Sequence, residues 1–167
     1  MDFKNAGGAG HGLFPSQRRA YVRFSQAASQ WDLVQFDFLN VATGLSSAPG
    51  GAPGTSKYNT VREPDASAVS AEEGTEEGYW FGIAEEAQAV ASDGWVTVQG
   101  IINGGVANGT VEGDTLVASS TVAGQMARTN NAIPTGRKII AIAHEDHGGD
   151  NVSECLFDGI NGFGMDT

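Results

Sequence analysis

The feature that most constrains the fold is a series of short stretches in which apolar and polar residues alternate. Ala20, Val22 and Phe24, for example, alternate with Tyr21 and Arg23. Similar stretches occupy residues 31–39, 78–84, 95–102, 115–118, 137–143 and 152–157. Asn-Gly, Gly-Asp and Gly-Gly turns separate many of them, which is typical of short strands. We therefore expect an all-β fold, either a compact β-barrel or a β-sandwich, with short helices only near residues 66–73 and 84–91.

Two segments of the chain do not fit this strand pattern. Residues 1–19 are rich in glycine and begin without periodicity, so we expect an extended N-terminal arm. Residues 20–167 then form the β-rich body. Within the body, residues 41–77 are polar, glycine-rich and finally acidic, which predicts one long inserted loop with a strand near residues 58–62.

The body contains a weak internal repeat with an offset of 59 residues. Ile83, Ala84 and Glu86 match Ile142, Ala143 and Glu145, and the Gly-Ile pair at 100–101 matches that at 159–160. This spacing divides the body into two similar β units, about 29–105 with its insertion and 112–164. Alternating strands also match by chance, so the sequence leaves both duplication and coincidence open.

Charge excludes some classes of partner. The chain of 167 residues has a net charge of −11. Residues 1–30 contain four basic residues and one acidic residue, whereas the remainder contains 5 basic and 19 acidic residues. An acidic body repels phosphate, so we expect no nucleic-acid binding, and no apolar run is long enough to span a membrane. The basic segment suits docking against an anionic partner, although incidental surface charge gives the same pattern.

Candidate catalytic and metal-binding motifs are weak. The segment HEDHGGD at 144–150 is dense in ligating residues, but its spacing is not that of HExxH and a turn is the simpler interpretation. Cys155 is the one cysteine and lies in an apolar strand, which favours a buried structural residue. No GxSxG motif occurs. We expect no enzymatic activity, no metal and no cofactor.

The aromatic residues suggest a second kind of contact. Tyr79, Trp80 and Trp95 belong to an aromatic set that is large for one small strand face. A buried core accounts for most of this set. Because tryptophan and tyrosine concentrate at interfaces, the sequence also predicts these three residues as candidates for a subunit interface.

The order of motifs in the second half resembles a known family. It contains Gly-Asp and a strand at 113–117, a small-residue turn at 123–125, a strand ending Ile-Ala-His-Glu-Asp at 136–146, and a final strand ending in glycine at 152–159. This order resembles the decoration, or cement, proteins on the capsids of tailed bacteriophages.

The resemblance implies a structural role. Such a protein is made in the host cytoplasm, binds the outer surface of the virion capsid and bridges neighbouring major capsid proteins, commonly as a homotrimer with an extended arm. It carries over no catalytic residue. Within this chain the expected partner-binding residues are Phe3, Lys4, Leu13, Phe14, Arg18 and Arg19. Two alternatives remain at this point: another virion component, such as a head-fibre base or tail-associated protein, or a ligand-binding or enzymatic β domain.

Overall fold

The regular structure of the described part of the chain is entirely β. The computed structural model describes residues 17–36, 60–62, 64, 80–119, 121–129, 138–146 and 151–164. Its strands are β1 (Arg18–Phe24), β2 (Leu33–Phe36), β3 (Thr60–Arg62), β4 (Phe81–Ala84), β5 (Asp93–Gly105), β6 (Thr115–Ala118), β7 (Met126–Arg128), β8 (Ala141–Ala143) and β9 (Val152–Asp158). The all-β prediction is confirmed. The arm up to residue 16 and most of the 41–77 loop lie outside the described residues.

The first five strands close into a ring, which we call the first barrel. β1 pairs with β3, β3 with β2, β2 with β4, and β4 with the N-terminal half of β5. That half of β5 pairs in turn with β1 and closes the ring. All of these pairs are antiparallel except β1 with β3. Closure leaves few open strand edges, as in other small barrels.

The remaining strands form a second barrel with the same strand order. The C-terminal half of β5 pairs with β9, β9 with β8, β8 with β6, and β6 with β7. A parallel bridge between Val106 and Met126 joins β7 to the end of β5 and closes this ring. The long strand β5 therefore belongs to both barrels.

The two barrels also agree in register. The pair Leu33–Ile83 of the first barrel occupies the place of Thr115–Ile142 in the second. The pair of Ala84 with Val96 likewise corresponds to that of Ala143 with Cys155, which preserves the 59-residue offset in the sequence. The strand pairing of the two barrels is therefore equivalent.

The turns that lead into β2 and β6 are alike as well. The Asp32 carboxylate accepts a hydrogen bond from the Ser29 amide at 2.6 Å, and that of Asp114 accepts one from the Val111 amide at 3.0 Å. The preceding residue has a positive φ in both turns, 73° at Trp31 and 87° at Gly113. These are aspartate-stabilised turns, in which the carboxylate replaces a backbone acceptor.

The barrels differ where their last strands end. Gln99 of β5 and Asp158 of β9 are equivalent residues and pair with each other. After Gln99 the strand continues into the second barrel. At Asp158 the carboxylate accepts hydrogen bonds from the amides of Ile160 and Asn161, at 3.2 and 2.9 Å. The chain therefore turns at Asp158 instead of starting another strand.

Equivalent positions line the two interiors with different side chains. The first barrel is filled by Val22, Phe24, Val34, Phe36, Val61, Ala84, Val96 and Val98. In the second barrel the corresponding positions hold Gly104, Val106, Leu116, Ala118, Met126, Ala143, Cys155 and Phe157. Where one barrel has a large residue, the other often has a small residue at the equivalent position. Each interior is therefore filled by its own combination of side chains.

The barrels pack directly against each other. Leu33, Phe81 and Ile83 of the first barrel belong to the same buried cluster as the interior of the second. The Leu33 amide donates to the Gly124 carbonyl at 2.7 Å, and the Gly105 amide donates to that of Trp31 at 2.8 Å. All of β2 is therefore buried, since one face lines its own barrel and the other lies against the neighbour.

Two expectations on secondary structure need correction. The prediction of a helix at 84–91 is wrong, because Ala84 ends β4 and Gln88 forms an antiparallel bridge with Ala28. Both backbone hydrogen bonds of this bridge are made, at 3.0 and 2.8 Å, so the segment's polar groups are satisfied across the barrel. Arg18 and Arg19, expected at the end of the arm, are instead the first residues of β1. Residues 66–73 lie outside the described part.

Candidate partner-binding surface

One outer face of the first barrel carries a cluster of aromatic and charged side chains. The strand pairs Arg19–Thr97, Tyr21–Trp95 and Arg23–Asp93 place six side chains on this face. Because side chains alternate across a strand, the residues between them, such as Val22 and Val96, point into the barrel and are buried. With Glu85, which directly follows β4, these six residues form what we call the aromatic–arginine patch.

Arg19 and Glu85 are joined by a two-pronged ion pair. Arg19 Nε donates to Glu85 Oε1 at 2.6 Å, and its Nη2 donates to the other carboxylate oxygen. The Thr97 hydroxyl also donates to Glu85 Oε1, at 3.0 Å, and Gln17 Nε2 donates to that hydroxyl at 3.1 Å. The hydrogen bond to Glu85 raises the pKa of Arg19 above its ordinary value. The network fixes the guanidinium orientation on the surface.

The fixed guanidinium in turn helps to orient Trp95. Arg19 Cζ lies 4.6 Å from the centre of the Trp95 ring, a cation–π contact. Tyr21 meets the same indole edge to face, with ring centres 5.1 Å apart. Tyr21 is nevertheless 58% exposed and Trp95 41% exposed. Arg23 and Asp93 form a further ion pair at 3.4 Å on the same face.

Trp80 makes its contacts elsewhere. Its ring packs edge to face against Phe36 of β2, with centres 6.3 Å apart, and it remains 42% exposed. Trp95 instead packs against Tyr21 and Arg19 of β1. The structure thus joins Trp95, predicted for a subunit interface, to Arg19, predicted for partner binding. Phe3, Lys4, Leu13, Phe14 and Tyr79 lie outside the described residues.

The equivalent face of the second barrel is different. Register places Ile101, Asn103, Glu154 and His144 where the first barrel has Arg19, Tyr21, Trp95 and Glu85. His144 Nδ1 lies 3.9 Å from Glu154 Oε1. Strand pairing is therefore compatible with polar residues at these positions, and barrel formation does not require the aromatic–arginine patch.

The acidic side chains at 145 and 146 have structural roles. Glu145 Oε1 accepts a hydrogen bond from the Glu154 amide at 2.9 Å, and Asp146 Oδ1 accepts one from the Glu112 amide at 2.9 Å. His147 and Asp150 lie outside the described residues. Among the residues that are described, no group of three or more histidine, cysteine or acidic side chains is placed to hold a metal ion.

Cys155 is buried, as predicted. Its thiol donates to the Ile102 carbonyl at 3.3 Å inside the second barrel. Burial, with a smaller contribution from Glu154, raises the pKa of the thiol to about 12. Since the thiolate is the reactive form, this cysteine is inert at neutral pH.

Part of the patch is predictable from the sequence. Its alternation placed Tyr21 and Arg23 together, but it did not connect them with Glu85 or Asp93, which come from distant parts of the chain. The available signal is the 59-residue offset, which aligns Glu85, Asp93 and Trp95 with His144, Val152 and Glu154, residues of a different chemical type.

Comparison with known proteins adds no assignment. No protein-family model matches the sequence, and no curated protein matches it either. In the part of the chain that is described, no helix is long and apolar enough to cross a membrane.

Proposed function

We propose that this chain is a structural protein of a tailed-phage virion that binds the outer surface of the capsid and stabilises it by bridging major capsid proteins. The family resemblance of residues 113–159 suggests this class. The aromatic–arginine patch is the observation that identifies the binding surface. It is present on the first barrel, and other residues occupy the equivalent positions of the second.

The composition of the patch suits protein binding. Tryptophan, tyrosine and arginine dominate the residues that contribute most at protein interfaces. Here Arg19, Tyr21 and Trp95 hold one another in place before any partner arrives. Side chains that are already ordered lose less conformational entropy on binding. The patch therefore supports a docking role better than a catalytic one.

The location of the patch also fits the distribution of charge. β1 contributes three arginines to a protein whose net charge is −11. Arg19 and Arg23 are balanced by Glu85 and Asp93, so the patch is close to neutral and does not share the acidic repulsion that an anionic protein surface would meet on the rest of the chain. That repulsion also opposes binding to nucleic acid.

Self-association as a homotrimer is part of the proposal. Several copies held together would bind a repetitive shell through several weak contacts at once. Trp80 supports a separate contact between subunits, because it is exposed and packs against β2 rather than β1. Trp95, by contrast, is assigned to the shell-binding patch.

Co-sedimentation with empty capsids tests the proposal. The double variant Tyr21→Ala/Trp95→Ala should bind at least about tenfold more weakly than the unaltered protein, as expected when central aromatic residues are removed. The matched control is Asn103→Ala/Glu154→Ala at the equivalent positions of the second barrel, which should bind within about twofold of the unaltered protein. Thermal unfolding monitors the fold of both variants.

Two results would contradict the proposal. Failure of the unaltered protein to sediment with capsids would reject the shell-binding role. Equal binding by the patch variant and its control would reject the patch as the surface responsible.

A further inference from the structure

Among the described residues, the first strand has one edge that is paired along its length and one that is mostly exposed. Along one edge, β1 pairs with β5 from Arg18 to Arg23. Along the other edge, it pairs with β3 only at Arg23 and Phe24. Within the described residues, positions 18–22 therefore have no strand partner on that side. An unpaired strand edge offers a row of backbone donors and acceptors to an incoming strand.

The direction of the backbone groups follows from the neighbouring hydrogen bonds. The Phe24 amide donates to the Ser92 carbonyl at 2.8 Å, on the β5 side, whereas the Ser25 amide donates to Val61 at 3.0 Å, on the β3 side. Because these directions alternate along a strand, the amides of Ala20 and Val22 face β5. Those of Arg19 and Tyr21 face the exposed edge.

Side chains beside this edge favour a particular kind of segment. Arg18, Arg19 and Tyr21 are exposed at the edge, and Ala20 packs partly against the barrel interior. The Arg18 guanidinium makes no ion pair or hydrogen bond with any other described residue, in contrast to that of Arg19, which binds Glu85. The Arg18 charge on each copy, which no described residue balances, would oppose pairing of this edge with itself, since like charges across adjacent strands are destabilising.

We infer that the exposed edge of β1, residues 18–22, receives an extended acidic segment of the shell protein as an additional strand. This inference rests on the proposed capsid-binding function and names the mode of binding. Backbone hydrogen bonds to Arg19 and Tyr21 supply affinity, and a carboxylate opposite Arg18 supplies specificity. The incoming segment has acidic residues on the outer face and small apolar residues on the face next to Ala20.

Amide hydrogen exchange with single-residue resolution tests the inference on the full chain, free and bound to empty capsids. The amides of Arg19 and Tyr21 should exchange rapidly in the free protein and at least about tenfold more slowly on capsids, because strand addition protects them. The amides of Ala20 and Val22 are internal controls, since their bonds to β5 protect them in both states.

A pair of charge reversals gives a second test. Arg18→Glu should weaken co-sedimentation by about tenfold, whereas Arg128→Glu, an exposed arginine of β7 in the second barrel, should change it by less than twofold. Both variants change the net charge equally, so a general charge effect would alter both alike and overturn the assignment to Arg18.

The outcomes separate the inference from the function on which it rests. Absence of co-sedimentation overturns both. Co-sedimentation with unchanged exchange at Arg19 and Tyr21 overturns strand addition and leaves the shell-binding function intact. Protection of these two amides in the free protein shows that this chain already covers the edge, and it too overturns the inference.

Discussion

The two barrels share strand order and register but differ on their outer faces. In the first barrel, β1 and β5 present Tyr21 and Trp95 beside an arginine fixed by Glu85. In the second, Asn103 and Glu154 occupy the same places. Since both sets are compatible with the same strand pairing, the aromatic set is not explained by the needs of the fold. A repeated architecture thus provides an internal control for function within one chain.

The interiors show the opposite relationship. There the two barrels differ at most equivalent positions, yet each is filled: Val22 with Val61 in the first barrel corresponds to Gly104 with Met126 in the second. A Cβ on Gly104 would lie 2.5 Å from Met126 Cε. Differences inside the barrels therefore compensate one another, whereas differences on the outer face do not. Stability measurements can separate the two cases.

The largest expected effect is that of Gly159→Ala. A Cβ there would lie 2.1 Å from the Phe81 carbonyl oxygen, where the Phe81 amide donates to Gly159 at 3.0 Å. The backbone must shift, so the free energy of unfolding should fall by about 3–5 kcal/mol in urea denaturation. Gly109→Ala is the control: its φ is 88° with open space around it, and strain alone costs about 1–2 kcal/mol. Equal losses would contradict the close approach at Gly159.

Next in size is the exchange of interior residues between barrels. Gly104→Val alone should cost about 1–3 kcal/mol, because the added atoms meet Met126 and Ile83. Combining it with Met126→Val reproduces the pair of the first barrel and should recover about 1 kcal/mol or more relative to the sum of the single changes. A double-mutant cycle by chemical denaturation measures this coupling. Strict additivity would show that the interiors are not compensated in this way.

A smaller, pH-dependent effect concerns Cys155, which stands where the first barrel has Val96. Folding raises the pKa of the thiol from 9.0 to about 12. Between these values the unfolded chain loses the proton and the folded chain keeps it, so the free energy of unfolding falls as pH rises. The cysteine contributes about 1.4 kcal/mol per pH unit to this fall.

Cys155→Val isolates that contribution. The free energy of unfolding of this variant is measured against pH and subtracted from that of the unaltered protein. The subtraction removes the contributions of other groups that titrate at high pH, including Lys138, whose pKa is lowered by burial. The difference should be flat below pH 9 and grow above it. A flat difference up to pH 12 would mean that the thiol is not buried as described.

Sequence patterns predicted the all-β class, the burial of Cys155 and the 59-residue offset, because alternation and spacing are local properties. They did not predict the ring closure of β1 with β5 or the absence of a helix at 84–91. Both depend on partners far along the chain, as Gln88 does on Ala28. For the same reason, the sequence-based predictions give the residues of the patch two different roles. Arg19 was assigned to an arm and Trp95 to a subunit interface, and only strand register brings them together.

We propose that the outer face of the first barrel, and not that of the second, binds the shell. The most direct measurement is capsid co-sedimentation of Tyr21→Asn/Trp95→Glu, in which the first barrel carries the residues that the second barrel has at the same positions. These residues are already compatible with this strand pairing, so the variant should remain folded. We predict that its binding falls by at least about tenfold. Binding equal to that of the unaltered protein would contradict the account.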